Sequence, residues 1–373
     1  MHKDIWQGLN KQNSIVEKLR YMHSVMQLHM PYLSRVAVAL YDESTDLLKT
    51  YAYSSSKASP LTNYQAKLSD CFSLVEIAKS QQPRLVQDLT EYADSDHQHT
   101  QTILNAGYMS SYTLPMFWEG ILIGFVFFNA EEKDAFQEAA LHELDAIAHM
   151  ITLVIYNEIS SIKTLTATVK SALQLTHSRD PETGFHLERM SRYARLIAKK
   201  ISDDFQFDDQ FIEHIFLFAP LHDLGKLSIP DNILLKKGPL TEDEKSIMQT
   251  HSERGKELID KLLENYGLTG ITHVDMLRNI ALYHHESMDG KGYPSNLEGE
   301  SIPIEARIIA VADIFDALTS HRPYKEAWSN KAAFQKLRNL AGIKLDAACV
   351  DALLRSEDEI LQIQGQYGEN EFG

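Results

Sequence analysis

Leu221-His222-Asp223-Leu224-Gly225-Lys226 decides how the second half of this chain is read. The adjacent His-Asp pair offers an imidazole nitrogen and a carboxylate oxygen from neighbouring positions. Gly225 lets the backbone pass close to another element, and Lys226 adds a mobile cation one turn on. Further donors stand on either side. Glu182 and His186 are four residues apart, so a helix turns both toward one site. His251 stands in Gln-Thr-His-Ser-Glu-Arg-Gly, and His284-His285 closes a predicted helix. Asp313 interrupts an apolar helical face, where a charge needs a partner or a metal. The set comprises eight donors, five imidazoles and three carboxylates.

Outward from this stretch the chain reads as helix after helix. Asp180-Pro181 is a helix start, with Asp as N-cap and Pro in the first turn. Helical spacing then covers Arg189–Ile201, Asp208–Ala219, Thr241–Tyr266, Asp275–His285, Ile304–Ser320, Lys331–Ala341 and Asp346–Leu354. His222 and Asp223 are expected on an inward helix of this bundle. Bundles build metal sites from side chains that project inward. Mixed imidazole and carboxylate without thiolate suits iron, manganese or another borderline-to-hard divalent ion. Eight donors exceed the needs of one ion, so a bridging Asp would serve two or three. Clustered ions acidify a bridging water and neutralise a phosphoryl group. The residues alone therefore predict a polynuclear metallohydrolase for phosphate esters. His177, His214, His273 and His321 are read as ordinary packed or exposed residues.

The first half has another rhythm. Asp4–Met30 shows helical spacing, Arg35–Tyr41 and Leu47–Tyr53 read as strands around an Asp42–Asp46 turn, and Phe72–Ser80 is helical. Arg84–Gln87 is a short strand. Tyr112–Trp118 and Ile121–Asn129 form a hairpin about Glu119-Gly120, and Phe136–Ile155 is again helical. Cys71 reads as a packed thiol, and His97 and His99 as parts of a solvated stretch, Glu91–Gln101. From Leu144 to Thr176 the helical period continues without Gly or Pro. Leu144, Ala148, Ile151, Ile155, Ile162, Leu165, Val169 and Ala172 make a heptad-like stripe with Glu158 in its seam. The stripe is expected to seat a second copy in a parallel dimer, or else to pack as a kinked helix within a monomer.

Composition narrows the function classes. The 373 residues carry a formal charge of −16, which repels long nucleic acid, so an anionic substrate needs a local positive site. The two cysteines, Cys71 and Cys349, are far apart and suit a reducing compartment. The N-terminus lacks an apolar signal-peptide core, and the longest apolar run, around Gly120–Phe128, is too short for a bilayer. A cytoplasmic protein without a membrane partner is expected.

The order helix, two strands, helix, strand, hairpin, helix over Asn13 to Tyr156 resembles the GAF family of sensor domains. That resemblance implies a small-molecule or redox sensor, or simply a dimerisation module, and leaves the identity of any ligand open. The second half resembles the HD-GYP branch of the HD phosphohydrolases, from about Leu173 to Leu354. It carries Arg-Asp-Pro-Glu-Thr-Gly-Phe-His at 179–186, His-Asp-Leu-Gly-Lys at 222–226 and Ile-Pro-Asp at 229–231. His-His-Glu at 284–286, Asp-Gly-Lys-Gly-Tyr-Pro at 289–294, and Asp313 through Arg322-Pro323-Tyr324-Lys325 follow. Lys236-Lys237-Gly238-Pro239-Leu240 and Asp346-Ala347 depart from the family's usual Lys-Pro-Gly-Lys-Leu and Asp-Pro. Both departures bear on loop shape rather than on ligands.

The resemblance implies hydrolysis of cyclic di-GMP to pGpG, and in some members onward to GMP. It implies that Glu182, His186, His222, Asp223, His251, His284, His285 and Asp313 hold two or three metal ions, iron first and manganese next. Retention of Glu182 goes with a third ion. His222, Asp223 and Lys226 then carry the catalysis. Lys226 lies by the scissile phosphate, and Arg322 and Lys325 hold phosphates and guanine. Tyr293 contacts a base or serves only the loop. Asp316 and Glu286 are read as partners of ligands or as packing residues. The runner-up substrate is 3′3′-cyclic GMP-AMP. A non-catalytic dinucleotide-binding module and a phosphohydrolase for other nucleotides are the remaining readings. The fold expectation is multidomain: an α+β GAF-like sensor domain at 1–156, a connector helix at 157–178 and an all-α HD-GYP bundle at 179–373.

Overall fold

Residues 4–10, 14–57, 61, 64–93, 98–176, 184–268, 273–320 and 326–367 are described by the computed structural model. The expectations for His97, His177, Arg179, Asp180, Glu182, His321, Arg322 and Lys325 lie outside these residues. Two compact units are formed, Met1–Ser160 with Asp208–Gln210, and Ser161–Phe207 with Phe211–Gly373.

The first unit has α1 (Ile15–Met26), β1 (Leu33–Asp42), β2 (Leu47–Ser55), β3 (Gln65–Lys67), α2 (Phe72–Ser80), β4 (Arg84–Val86), α3 (Gln98–Asn105), β5 (Ser110–Trp118), β6 (Ile121–Ala130) and the start of α4 (Glu138–Thr176). The six strands form one antiparallel sheet in the order β3-β2-β1-β6-β5-β4. Its centre is covered on both faces. Val36, Val38, Val126 and Phe128 pack with Leu19 and Met22 of α1 and with Leu144, Ile151 and Ile155 of α4. Ala37, Ala39, Phe125 and Phe127 alternate with them and pack with Leu74 and Ile77 of α2.

The α+β expectation therefore holds, with local corrections. The predicted helix Asp4–Met30 is a 3₁₀ turn at Gln7–Asn10 followed by α1, whose start is set by a Ser14–Glu17 capping box. Strand β3 and helix α3 were not foreseen. The polar sequence of α3, Gln-His-Thr-Gln-Thr-Ile-Leu-Asn, reads as a solvated loop in part because only Ile103 of it is fully buried.

The second unit has α5 (Gly184–Lys200), α6 (Ser202–Phe205), α7 (Asp209–Phe218), α8 (Asp231–Leu234), α9 (Glu242–Gln249), α10 (His251–Asn265), α11 (Val274–Tyr283), α12 (Ile304–Thr319), α13 (Asn330–Leu340), α14 (Ala347–Leu354) and α15 (Glu357–Gln366). Residues 208–210, at the start of α7, group with the first unit. The fully buried side chains of Met190, Tyr193, Ile280, Ile308 and Phe315 form the centre of its core. Three expectations change. Thr241–Tyr266 is two helices that meet at Thr250, and Thr241 opens the first with a capping box to Glu244. His222 and Asp223 stand between two 3₁₀ turns, Ala219–Leu221 and Leu224–Ser228, rather than on a helix. Helix α15 escaped notice because its sequence is mostly polar and Ile360 alone is fully buried.

Helix α4 contains the stretch 157–178 expected as a connector up to Thr176, and Ser160 and Ser161 are the last and first residues of the two units along it. Its stripe is covered within the chain. Leu144, Ala148, Ile151 and Ile155 belong to the core of the first unit, and Ile162 and Leu165 to that of the second. At these six positions the cover comes from the same chain. The segment Glu138–Thr168 is long and apolar enough, by length and composition alone, to cross a membrane. The apolar run Gly120–Phe128 is therefore not the longest candidate.

Candidate metal centre

Seven of the eight donors fall among the described residues, and all seven converge in the second unit. Asp223, His251, His284 and His285 form one group whose donor atoms all lie within 4.8 Å of one another. His186, His222 and Asp313 form another by the same measure. Asp223 stands between them. Its Oδ1 is 3.3 Å from His251 Nε2 and 3.7 Å from His284 Nε2, while its Oδ2 is 3.2 Å from His222 Nε2. His186 Nε2 is 3.9 Å from Asp313 Oδ1.

The local fold aims the rings. His222 donates Nδ1–H to the Ala219 carbonyl at 2.9 Å, His251 to Met248 at 2.8 Å, and His284 to Ile280 at 2.9 Å. Each acceptor lies three or four residues back, so the turn that carries the ring also fixes it. His186 Nδ1 instead meets Asp316 Oδ2 at 2.7 Å. With Nδ1 engaged as donor, Nε2 is the atom that faces the centre in all four. Asp316 is held in turn by Arg189, through Nε at 2.7 Å and Nη2 at 3.1 Å, and by Ser320 Oγ at 2.9 Å. It is thus a partner of a candidate ligand, and is wholly buried.

Gly225 makes the approach of the His-Asp loop to α10 possible. A Cβ at Gly225 would lie 1.8 Å from the His251 carbonyl oxygen and 2.5 Å from Gly255 N. Lys226 folds back on the same carboxylate, with Nζ 2.9 Å from Asp223 Oδ2. The loop after α11 closes over His285. The Tyr293 ring centroid is 4.7 Å from that of His285 and 6.1 Å from that of His251. Both Glu286 oxygens accept backbone N–H groups, from Ser295 at 2.7 Å and Leu297 at 3.0 Å, so this carboxylate shapes the loop and is not a donor to the centre. Gly292 is needed here too, because a Cβ would fall 2.4 Å from Ser287 N.

The electrostatics fit a cation. Burial works against the charged form of His222, but the Asp223 carboxylate, with help from Asp313 and the Ala219 carbonyl, outweighs it and raises the pKa to about 9. Burial also opposes the charge on Asp223, yet Lys226 and His222 hold its carboxyl well below the usual range. Burial lowers His251 to about 4, and burial with the neighbouring His284 keeps His285 well below its ordinary value, so both rings are neutral and offer lone pairs. Burial pushes the Tyr293 phenol up. His222 Nε2 and Asp223 Oδ1 are buried without a hydrogen-bond partner. Unsatisfied buried donors and acceptors at a convergence of imidazoles and carboxylates are what a divalent ion would satisfy. His214 lies elsewhere, stacked on Phe218 and edge-on to His273, and burial lowers it to about 3, in keeping with an ordinary core residue.

A helical unit with inward-facing histidines around a His-Asp pair defines the class. Residues 181–349 match the HD domain family. Relatives carry more specific names. The chain is 47% identical over 189 residues to the cyclic di-GMP phosphodiesterase response regulator RpfG of Xanthomonas campestris pv. campestris, covering 51% of this chain and 47% of that protein. It is 38% identical over 189 residues to a cyclic di-GMP phosphodiesterase of Thermotoga maritima, covering 51% and 48%. It is 32% identical over 256 residues to 3′3′-cGAMP-specific phosphodiesterase 2 of Vibrio cholerae, covering 64% and 47%. The chain spans about half the length of the curated relatives it matches. Among solved structures, the GAF domain from Acinetobacter phosphoenolpyruvate-protein phosphotransferase aligns with a TM-score of 0.33 at 16% identity, over 42% of this chain and 90% of that one.

Proposed function

We propose that the second unit is a metal-dependent phosphodiesterase that hydrolyses cyclic di-GMP to pGpG. The observation that carries this reading is the convergence of six donors on both sides of Asp223. His251, His284 and His285 with Asp223 would hold one cation, and His186, His222 and Asp313, again with Asp223, a second. Glu182 is proposed as the donor to a third. Iron is the first choice of metal and manganese the next. Such ions, when bound, supply Lewis acidity and a nucleophile at neutral pH.

The chain's own residues do the rest. Lys226, held beside Asp223, places a cation at the rim for a phosphate oxygen and for the departing 3′-oxygen. Tyr293 offers an aromatic face next to His285 for a base. Arg322 and Lys325 are proposed to hold phosphates and guanine. The first unit is proposed as a GAF-like sensor whose small ligand sets the activity of the second, and a homodimer as the form in which it does so.

The test is product chromatography on the purified full chain loaded with iron or manganese. Cyclic di-GMP should be consumed, and His222→Ala with Asp223→Ala should abolish turnover while the circular dichroism spectrum stays unchanged. Turnover retained in that double variant overturns the assignment. A relative named for 3′3′-cGAMP favours that dinucleotide as the second reading. Side-by-side kcat/KM values on the two substrates decide between them.

A further inference from the structure

The first unit carries a cavity built around an arginine that has no carboxylate partner among the described residues. Strand alternation puts Arg35 on the same face of β1 as Ala37 and Ala39, toward α2. The side chain is buried, with 3% of the residue exposed. Its neighbour across the sheet is Asn129 of β6, and Nη1 donates to Asn129 Oδ1 at 2.8 Å. That is a neutral acceptor. Nε is buried without a hydrogen-bond partner, and among the described residues no carboxylate lies within ion-pair distance. Burial pulls the guanidinium down to about 10, although Tyr108, Tyr53 and Asp209 favour its charge from further away.

The space beside Arg35 measures about 80 Å³ and opens to solvent, and a second space of about 20 Å³ shares Arg35 and Phe127 with it. Leu74, Ile77, Ile103 and Phe127 supply an apolar wall. Arg84 of β4 also lines the cavity, its guanidinium 5.1 Å from the centroid of the Tyr92 ring. It too lacks a carboxylate partner among the described residues. A buried guanidinium with unused donors is costly unless something anionic completes it. Buried Arg35 and half-buried Arg84 thus meet in one cavity of a chain of net charge −16.

We propose that this cavity binds a small organic anion, its carboxylate or phosphate head on Arg35 and Arg84 and its apolar body against Ile77, Ile103 and Phe127. The head would take the fork of donors that Asn129 leaves unused, and the apolar wall would exclude inorganic anions in favour of ones with a carbon skeleton. This gives the sensor role proposed above a ligand class and an anchor residue.

The test measures binding, not turnover, so it does not depend on the chemistry proposed for the second unit. Benzoate, phenyl phosphate, inorganic phosphate and benzyl alcohol are titrated into the full chain by calorimetry, with a thermal melt at each concentration. Benzoate or phenyl phosphate should bind at least about tenfold more tightly than benzyl alcohol, and the tighter of the two identifies the head group. Inorganic phosphate should bind more weakly than either. Arg35→Met should weaken the anion at least about tenfold while leaving the ligand-free melting temperature unchanged or higher, since it removes an unpaired buried charge. Arg84→Met, at the more exposed end, should weaken it by a smaller factor and reads the site independently should the first variant fail to fold. The proposal is overturned if neither anion outbinds the alcohol, or if anion binding survives in the arginine variants at wild-type strength.

Discussion

Replacing Gly225 with alanine would set a methyl carbon 1.8 Å from the His251 carbonyl oxygen and 2.5 Å from Gly255 N. Both obstacles are backbone atoms of α10, so no side-chain rotation relieves the clash. Carbon atoms pack at about 3.5 Å, so the loop and the helix must separate by about 1.5 Å. Metal–ligand distances tolerate only about 0.2 Å. Asp223 rides on the moving loop and His251 on the helix, and their donor atoms are 3.3 Å apart. The variant should lose metal from the Asp223 group and at least about 100-fold in turnover of cyclic di-GMP. Overpacking should also cost about 1–3 kcal/mol of stability.

Gly255→Ala is the matched control. Its methyl would meet Gly225 N at 3.3 Å and Ala281 Cβ at 3.5 Å, which is close contact without overlap. Within a helix the change should contribute about 0.5–1 kcal/mol, which offsets the tight fit. Metal content by plasma mass spectrometry, turnover by chromatography and a urea melt are read on both variants. Full metal and wild-type turnover in Gly225→Ala would refute the claim that this close approach positions the site.

Asp316→Ala should cost about 3–5 kcal/mol in a urea melt, because it strands the buried Arg189 guanidinium. It should also weaken metal binding about 10–100-fold by releasing His186 Nδ1, whereas Asp316→Asn, which keeps one acceptor, should lose less. Glu158 gives a pH test in the first unit. Burial raises its pKa to about 7, against the opposing influences of Lys18 and Tyr51. A folded-state pKa above the unfolded one means the contribution is fully present below about pH 4.5 and is lost as pH rises through 7. Glu158→Gln should therefore raise stability by roughly 2–3 kcal/mol at pH 8 and by far less at pH 5, and equal effects at the two pH values would contradict this account.

The site was more legible than the scaffold around it. The donors could be picked out because their alternatives are poor: Asp313 on an apolar helix and paired histidines at a helix end have few structural excuses. What spacing could not convey was the backbone that presents them. His222 and Asp223 looked helical because the flanking residues are apolar at helical intervals, yet Gly225 must pass against α10 and the chain turns there as 3₁₀. Arg189 was missed as a functional partner. Its position three residues after His186 was a signal, but only the fold brings Asp316, 127 residues away, into reach. The heptad stripe on α4 was real as a pattern, and at six of its positions the cover comes from the same chain. A period near 3.5 says that one side is covered, not whether the cover comes from another chain or from the same one.

The way the rings are tethered separates two kinds of sequence change. His222, His251 and His284 take their direction from carbonyl groups of the main chain, so neighbouring side chains can drift without rotating them. His186 answers to a carboxylate, which answers to Arg189, whose Nη1 also reaches the Tyr367 carbonyl beyond α15. Of the four, it is the ring that distant substitutions can retune. Divergence in metal preference among chains of this kind should therefore be written in the surroundings of Asp316 rather than at the His-Asp pair that announces them.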